Sequence, residues 1–246
     1  MSSPFPPGAV LAPGYRVVGH LSRNAALDVY DLFSDERGCR CVGKVVRPDR
    51  HDERARRRLV QESEILLGAT HPHLVRAYEL LRDGDPVLIL ETLSGETLSH
   101  LIATDGALAP DDLAELGLQL CSAVGYLHRR GWLHLDLKPD NVIAERGIAK
   151  VLDLSLARRP GTVPAGLGTR GYRAPEQERG GDVGPAADVW GIGVVLRRAA
   201  AGVLPAGLEA LVGASLQRDP AVRPSLDELT AGLSPYAAAA APAQAA

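Results

Sequence analysis

The densest run of side chains that could act together is His134-Leu135-Asp136-Leu137-Lys138-Pro139-Asp140-Asn141. A short apolar stretch follows it, then the polar turn Glu145-Arg146-Gly147, a second stretch Ile148–Leu152, and Asp153. Two short strands joined by a Gly-containing turn read as a β-hairpin. In a hairpin, the residue entering the first strand and the residue leaving the second lie side by side. Asn141 and Asp153 are therefore expected at one end, with Asp136 and Lys138 on the loop just before. Two oxygen ligands facing a cavity suit a hard cation such as Mg²⁺ or Mn²⁺, which binds one or two carboxylates and completes its shell with phosphate oxygens. A third carboxylate, Asp136, beside a lysine suits accepting a proton from a hydroxyl or orienting it. Singly, each residue has a plainer reading: an aspartate before a strand is ordinarily a turn former, and a strand lysine ordinarily points at water.

The elements that must position this run can be read along the chain. Of 246 residues, 46% are hydrophobic and 23% charged, the composition of a folded domain. The net charge of −3 gives no basic excess for nucleic acid. No apolar run approaches the roughly 18–20 residues of a membrane span. The opening Met1-Ser2-Ser3-Pro4-Phe5 lacks the basic start and apolar core of a secretory signal, and three cysteines suit a reducing compartment, so a cytoplasmic protein is expected. Residues 1–14 carry four prolines and read as a flexible leader. Strands are expected at Tyr15–Leu21, Leu27–Leu32, Arg40–Val46, Leu74–Leu81 and Pro86–Leu90. Between the third and fourth lies a helix whose apolar face is Leu59, Ile65, Leu66 and Leu67. Its cluster Arg54, Arg56, Arg57 and Arg58 reads as a solvated face. Beyond Ser94-Gly95 the pattern turns helical. Pro110-Asp111-Asp112 starts a long helix carrying Leu113, Leu116, Leu120, Val124 and Leu127 up to Gly131. Further helices are expected at Asp188–Ala201, Leu208–Leu216 and Leu226–Leu233, before a disordered Ala-rich tail, 236–246. The class is α+β: a small β-rich lobe over 15–91, and a connection with a larger, mainly helical lobe over 92–235.

From about Tyr15 to Leu233 this order of motifs resembles the serine/threonine protein kinase family, of the bacterial eukaryotic-like type. The resemblance implies a bilobal fold, ATP as substrate, Mg²⁺ or Mn²⁺ as metal, and a protein substrate or regulatory protein as partner. Cys41-Val42-Gly43-Lys44 matches the strand whose lysine reaches the ATP phosphates, so Lys44 is implied as that lysine and Glu62 as its helix partner; Glu64 would face elsewhere. By the same resemblance Asp136 is the catalytic base, Lys138 contacts the transferred phosphoryl group, and Asn141 and Asp153 hold metal. The nucleotide is implied to lie against Ser22, Asn24, Val29, Val42 and Ile143, with its base along Glu91-Thr92-Leu93 and Leu90 behind. Lysine two positions after Asp136 is the serine/threonine pattern. Gly168–Glu176 resembles the end of an activation segment and Asp188–Gly193 the start of the anchor helix. Arg223 is implied to pair with Glu176 in a buried ion pair, whose single partners would be stranded at a cost of about 3–5 kcal/mol.

Four departures from the family pattern carry expectations of their own. Ser22, Asn24 and Leu27 stand where three glycines are usual, and no glycine occurs between His20 and Tyr30. Ser22 and Asn24 could take the left-handed backbone that glycine takes freely, but Leu27 is a poor substitute where the strand must stay close, so phosphate positioning is expected to be loose and ATP affinity weak. Leu135 replaces the arginine that usually pairs with a phosphorylated segment. Ser155, Thr162 and Thr169 are the serine and threonine residues from Asp153 to Glu176. Thr169 is expected to be occupied beside Asp136 and Lys138, so activity should not need segment phosphorylation. Leu154-Ser155 stands for the usual Phe-Gly; the leucine can pack and the serine should stiffen the turn. Finally, Gly202-Val203-Leu204-Pro205 passes almost directly into Leu208–Leu216, shortening the helical lobe after the anchor helix where substrates often dock. The expected function is transfer of the ATP γ-phosphoryl group to serine or threonine of a protein. A pseudokinase acting as a nucleotide-binding or interaction module, and a small-molecule phosphotransferase, are the alternatives. His134 reads as a packed structural histidine, and Cys39 with Cys41 is too small a set for zinc.

Overall fold

The computed structural model describes residues 3–50, 52–200 and 204–238. Gly202, Val203 and the tail from 239 onward lie outside the described residues. The chain forms two compact units, Met1–Thr70 with Leu74–Ser94, and His71–His73 with Gly95–Ala246. The boundary falls after Ser94, three residues beyond the expected Glu91.

The first unit is an antiparallel sheet with one helix. Its strands are β1 (Val10–Ala12), β2 (Tyr15–Arg23), β3 (Leu27–Ser34), β4 (Cys39–Val46), β5 (Ala77–Leu81) and β6 (Val87–Glu91), in the order β1-β2-β3-β4-β6-β5. Alternation of side chains puts Tyr15, Val17, Tyr30, Leu32, Cys41, Val45 and Ile89 into one buried cluster. Cys41 belongs to that core, and burial pushes its thiol up to about 11. Helix α1 (Glu53–Leu67) starts at Asp52, whose carboxylate accepts from the N–H groups of Arg54 and Ala55. Its buried stripe is Ala55, Leu59, Glu62, Ser63, Ile65 and Leu66. Leu67, expected on that stripe, is exposed because it falls one step of about 100° beyond Leu66. Arg54 and Arg57 are exposed, and Arg56 pairs with Asp85.

The expected leader proves to be part of this unit. Val10 and Ala12 pair with Arg16 and Tyr15 across the β1–β2 turn, and the Phe5 N–H donates to the Tyr30 hydroxyl at 3.1 Å. Its prolines flank an edge strand, where a missing N–H costs no ladder bond. Leu11 of β1 lies over Gly43: a Cβ there would sit 3.3 Å from Leu11 Cδ2 and 2.5 Å from Leu32 Cδ1, so a larger residue would push the Leu32 side chain aside.

The second unit is mainly helical. It contains β7 (Glu96–Thr97), α2 (Leu98–Thr104), α3 (Pro110–Arg129), the hairpin β8 (Val142–Glu145) and β9 (Ile148–Val151), β10 (Gly161–Val163), α4 (Pro175–Arg179), β11 (Gly181–Val183), α5 (Ala186–Ala199), α6 (Ala206–Ser215) and α7 (Leu226–Ala238). The stripe Leu113, Leu116, Leu120, Val124 and Leu127 of α3 is buried, and α3 packs on α5, α7 and β9. The hairpin pairs Val142 with Val151 and Glu145 with Ile148, as the turn signal requires. Helix α2 left no readable periodicity because it has seven residues and buries only Leu98. The β10–β11 pairing joins segments eighteen or more residues apart. Helix α7 runs to Ala238, into the expected tail. No helix among the described residues is long and apolar enough to cross a membrane.

Candidate active site

In the first unit, Lys44 on β4 and Glu62 on α1 make a two-pronged ion pair. Lys44 Nζ lies 2.8 Å from Glu62 Oε1 and 2.9 Å from Oε2, with both residues buried. Losing either partner would strand the other charge in the core. Glu64 is exposed and sits 3.7 Å from Arg82, on another face of the helix. The strand register sets Val29 opposite Lys44, and Val42 opposite the buried Leu90. Glu91 ends β6; its Oε1 accepts from the Arg76 N–H at 2.8 Å, and its own N–H donates to the Arg76 carbonyl. Leu93 is half-buried on the connection that follows.

The β2–β3 turn departs from expectation. Among the described residues the non-glycine positions with positive φ are Leu135, Arg146 and Asp153, so Ser22 and Asn24 do not take the left-handed backbone. Ser22 pairs with Val29 in the ladder. Asn24 turns the chain with its side chain: Oδ1 accepts from Ala26 N at 2.8 Å and Leu27 N at 2.7 Å, while its own N–H donates to the Leu27 carbonyl. An Asx-type turn thus does what glycine does elsewhere. Beneath it, fully buried Asp28 is gripped by Arg23, Nε to Oδ1 at 2.6 Å and Nη2 to Oδ2 at 2.8 Å, with His20 Nε2 at 3.0 Å. Burial alone would raise the Asp28 pKa; Arg23 and His20 outweigh it and hold it below the usual carboxylate range. The turn is internally bonded instead of loose. The residue missed from sequence is Asp28, whose signal was an arginine and an aspartate facing each other across the turn.

In the second unit the chemistry hangs from Asp188 at the start of α5. Oδ2 accepts from His128 Nε2 and from the His134 N–H, and Oδ1 from the Leu135 N–H, each at 2.8 Å. These bonds hold Leu135 at a φ of 62°, which costs a leucine roughly 1–2 kcal/mol. His134 is fully buried, its Nδ1 accepting from the Asp136 N–H and its Nε2 lying 3.2 Å from the Leu152 carbonyl. It packs as a strut, as expected. Asp136 Oδ1 accepts from the Thr169 N–H at 2.7 Å, and Lys138 Nζ donates to Thr169 Oγ1 at 2.9 Å. Asp136 Oδ2 has only longer contacts, 3.5 Å to Lys138 Nζ and 3.5 Å to Asn141 Nδ2. Asn141 Nδ2 donates to the Asp136 carbonyl at 2.9 Å, so its Oδ1 is the atom left to act as a ligand. The Leu152 N–H donates to the Asn141 carbonyl, which brings Asp153 to the same hairpin end. Ile143 lies on β8 opposite Lys150 and Thr97. Lys138, Asp136, Asn141 and Asp153 are thus gathered on one loop and one hairpin mouth. Their oxygen donors are hard and suit Mg²⁺ or Mn²⁺.

The segment from Asp153 to Glu176 is anchored by packing. Leu135 is buried with Leu133, Val163, Leu167, Ala174, Val183 and Ala187. Gln177 Nε2 donates to the carbonyls of Leu135 and Leu167. At Gly168, with φ of 97°, a Cβ would lie 2.8 Å from the Leu135 carbonyl oxygen, so only glycine lets the two segments approach. Thr162 donates to Asp182 at 2.5 Å across β10–β11. Leu154 is fully buried, and the half-buried Ser155 donates its N–H to Asp153 Oδ1 at 3.3 Å. Arg223 meets Glu176 in a buried fork, 2.6 and 2.8 Å, and donates to the Ala186 carbonyl as well.

Replacing Asp188 with asparagine leaves two backbone N–H groups facing an amide. Asp188→Asn is expected to destabilise the second unit by about 3–5 kcal/mol in chemical denaturation. Burial would raise the Asp188 pKa, yet His128, His134 and the Leu135 N–H together hold it below the ordinary 3.8. Its stabilisation is therefore complete above that value and is lost as the pH falls through the lower folded value. The stability gap between parent and Asp188→Asn should narrow only in that acid window; a gap that narrows near neutral pH would refute the assignment.

Comparison with known proteins agrees with this geometry. The family described as protein kinase domain matches residues 15–212. A probable serine/threonine-protein kinase PknB of Bifidobacterium longum is 31% identical over 216 residues, covering 80% of this chain and 31% of that protein. A probable PknB of Lactococcus lactis is 27% identical over 231 residues, covering 90% of this chain and 37% of the relative. CBL-interacting serine/threonine-protein kinase 9 of Arabidopsis thaliana is 39% identical over 145 residues, 55% of this chain and 32% of its own. The chain spans about a third of the length of these curated relatives. With a loop, a hairpin and an anchor helix all in the family's order, the chain belongs to the protein kinase family, of the serine/threonine type seen in these bacterial relatives.

Proposed function

We propose that this chain transfers the γ-phosphoryl group of ATP to a serine or threonine hydroxyl of a protein. The observation that carries the reading is the loop around Asp136: one carboxylate oxygen is fixed by the Thr169 N–H, and the other is left with only long contacts beside Lys138. That second oxygen, Oδ2, is assigned the proton of the acceptor hydroxyl. As the hydroxyl oxygen forms its bond to the γ-phosphorus, the bond from that phosphorus to the β,γ-bridging oxygen breaks, and ADP leaves. Lys138, held by Thr169 Oγ1 at 2.9 Å, sits where it offsets charge on the transferring group. Lys44, fixed by Glu62, is assigned the α- and β-phosphates. Asn141 Oδ1 and the Asp153 carboxylate are assigned a Mg²⁺ or Mn²⁺ ion, which supplies neutralisation of phosphate charge when bound. Val29, Val42, Leu90, Leu93 and Ile143 are assigned the adenine and ribose by family resemblance, with Ser22, Asn24 and Glu91 contributing backbone.

The β2–β3 turn supports weak ATP affinity by a route other than looseness. The amides of Ala26 and Leu27 are already donated to Asn24 Oδ1, so they are not free to meet phosphate oxygens. The same observation favours the second reading, an interaction module without turnover. The packing of Leu135 supports independence from segment phosphorylation, because the position that would meet a phosphate is apolar. A phosphate on Thr162 would face Asp182 and repel it.

Metal-dependent transfer from γ-labelled ATP to serine- or threonine-containing protein tests the main reading. Parent protein should transfer label and Asp153→Ala should fall by about 10³-fold or more; nucleotide binding without any transfer would leave the module. Asn24→Gly frees two amides and restores a glycine. Its Michaelis constant for ATP should drop by about three- to tenfold, the value of one recovered hydrogen bond. An unchanged constant would mean these amides do not meet phosphate. Thr162→Ala should keep full activity in a preparation whose phosphorylation state is verified by mass spectrometry.

A further inference from the structure

Within the second unit lies a cavity of about 720 Å³ lined by Pro139, Val194 and Leu216 among others. Tyr172 also lines it, as do the exposed Arg197 and Arg198 at the end of α5. The cavity adjoins the chemistry by sequence. Pro139 directly follows Lys138, and Gly171, also on its lining, lies two residues beyond Thr169. Thr169 is the residue whose N–H fixes Asp136.

Among the described residues, one of the two arginines on the lining is paired and one is not. Arg197 is engaged by Glu209 at 2.9 Å, and the nearby Asp140 accepts from Ser99 Oγ at 3.0 Å. Arg198 is exposed, and among the described residues no carboxylate pairs with it; its guanidinium lies 5.8 Å from the centroid of the Tyr172 ring, which fixes its direction. Arg170, beside Gly171, is likewise exposed and without a carboxylate partner among the described residues. The lining thus offers one guanidinium, Arg198, without a carboxylate partner among the described residues, no carboxylate of its own, and the apolar side chains of Ile102, Val194 and Leu216.

We infer that this cavity receives an acidic stretch of the protein substrate flanking the acceptor hydroxyl, with Arg198 as the specificity-determining residue; this rests on the phosphoryl-transfer reading above. A guanidinium held over an aromatic ring presents its fork to a carboxylate with little further ordering. In a partly enclosed site the pair is screened less than on open surface. A basic flank would meet Arg198 and Arg170 with like charge, which selects against it.

The test uses serine peptides of one scaffold, with Glu, Ala or Lys placed in turn within four residues of the acceptor, full chain, and Mg²⁺ with ATP. The best glutamate peptide should exceed its lysine counterpart in kcat/KM by roughly tenfold at about 0.1 M ionic strength. Arg198→Glu should reverse the preference at an unchanged KM for ATP and unchanged melting temperature, and Arg198→Lys should retain part of it. Equal turnover of the two peptides, or a preference surviving in Arg198→Glu, overturns the inference. A labelled peptide with alanine in place of the acceptor serine separates docking from transfer. Anisotropy should show the acidic form binding parent about fivefold more tightly than Arg198→Glu. Should no peptide be phosphorylated while this difference holds, the transfer reading fails and the docking surface stands. Should peptides be phosphorylated without charge preference, only the docking inference falls.

Discussion

The Asp188 carboxylate is buried and accepts three hydrogen bonds at 2.8 Å, two from consecutive backbone amides of the loop before Asp136. A charge taken fully out of water must be matched by donors, and here the match is made by the backbone it orients. Leu135 is held left-handed as a result. Its side chain turns into the packed cluster beneath the segment, and its carbonyl faces Gly168 and Gln177. Asp136, one residue on, then projects toward Thr169. The geometry of the proposed base is thus inherited from a carboxylate fifty-two positions away, and the strain at Leu135 is stored where function is read.

Two positions usually occupied by polar or flexible residues are here filled by internal packing and bonding. The arginine site before Asp136 is a leucine inside an apolar cluster, so the segment is ordered by burial and by the β10–β11 pairing. The β2–β3 turn has an Asx bond and a buried Arg23–Asp28 pair in place of glycines. Both substitutions trade adaptability for order. The first leaves the segment in place without modification. The second fixes the turn by engaging the Ala26 and Leu27 amides with Asn24 Oδ1.

Much of the site was legible in the order of residues. The hairpin register around Asn141 and Asp153 followed from a Gly-containing turn, and the choice of Glu62 over Glu64 was implied by the family resemblance. Helix α3 could be read because its apolar residues recur over twenty positions. Elements that escaped were short or non-local: α2 buries one leucine, β10 and β11 are three residues each, and β1 hides among prolines. Local pattern carries no signal for a strand whose partner lies eighteen or more residues away.

What the amino-acid sequence determined by itself was local: a Gly-containing turn brings Asn141 and Asp153 to one hairpin end with Asp136 and Lys138 on the loop before it, while Lys44 and Glu62 were implied only by the family resemblance. Only the tertiary structure decided how the backbone carries them. The turn at Asn24 is made by a side-chain hydrogen bond and not by left-handed backbone, because one accepted pair of amides closes the chain without torsional strain. Likewise the exposure of Arg198 beside Tyr172 depends on where α5 ends against the segment, a distance that no periodicity encodes.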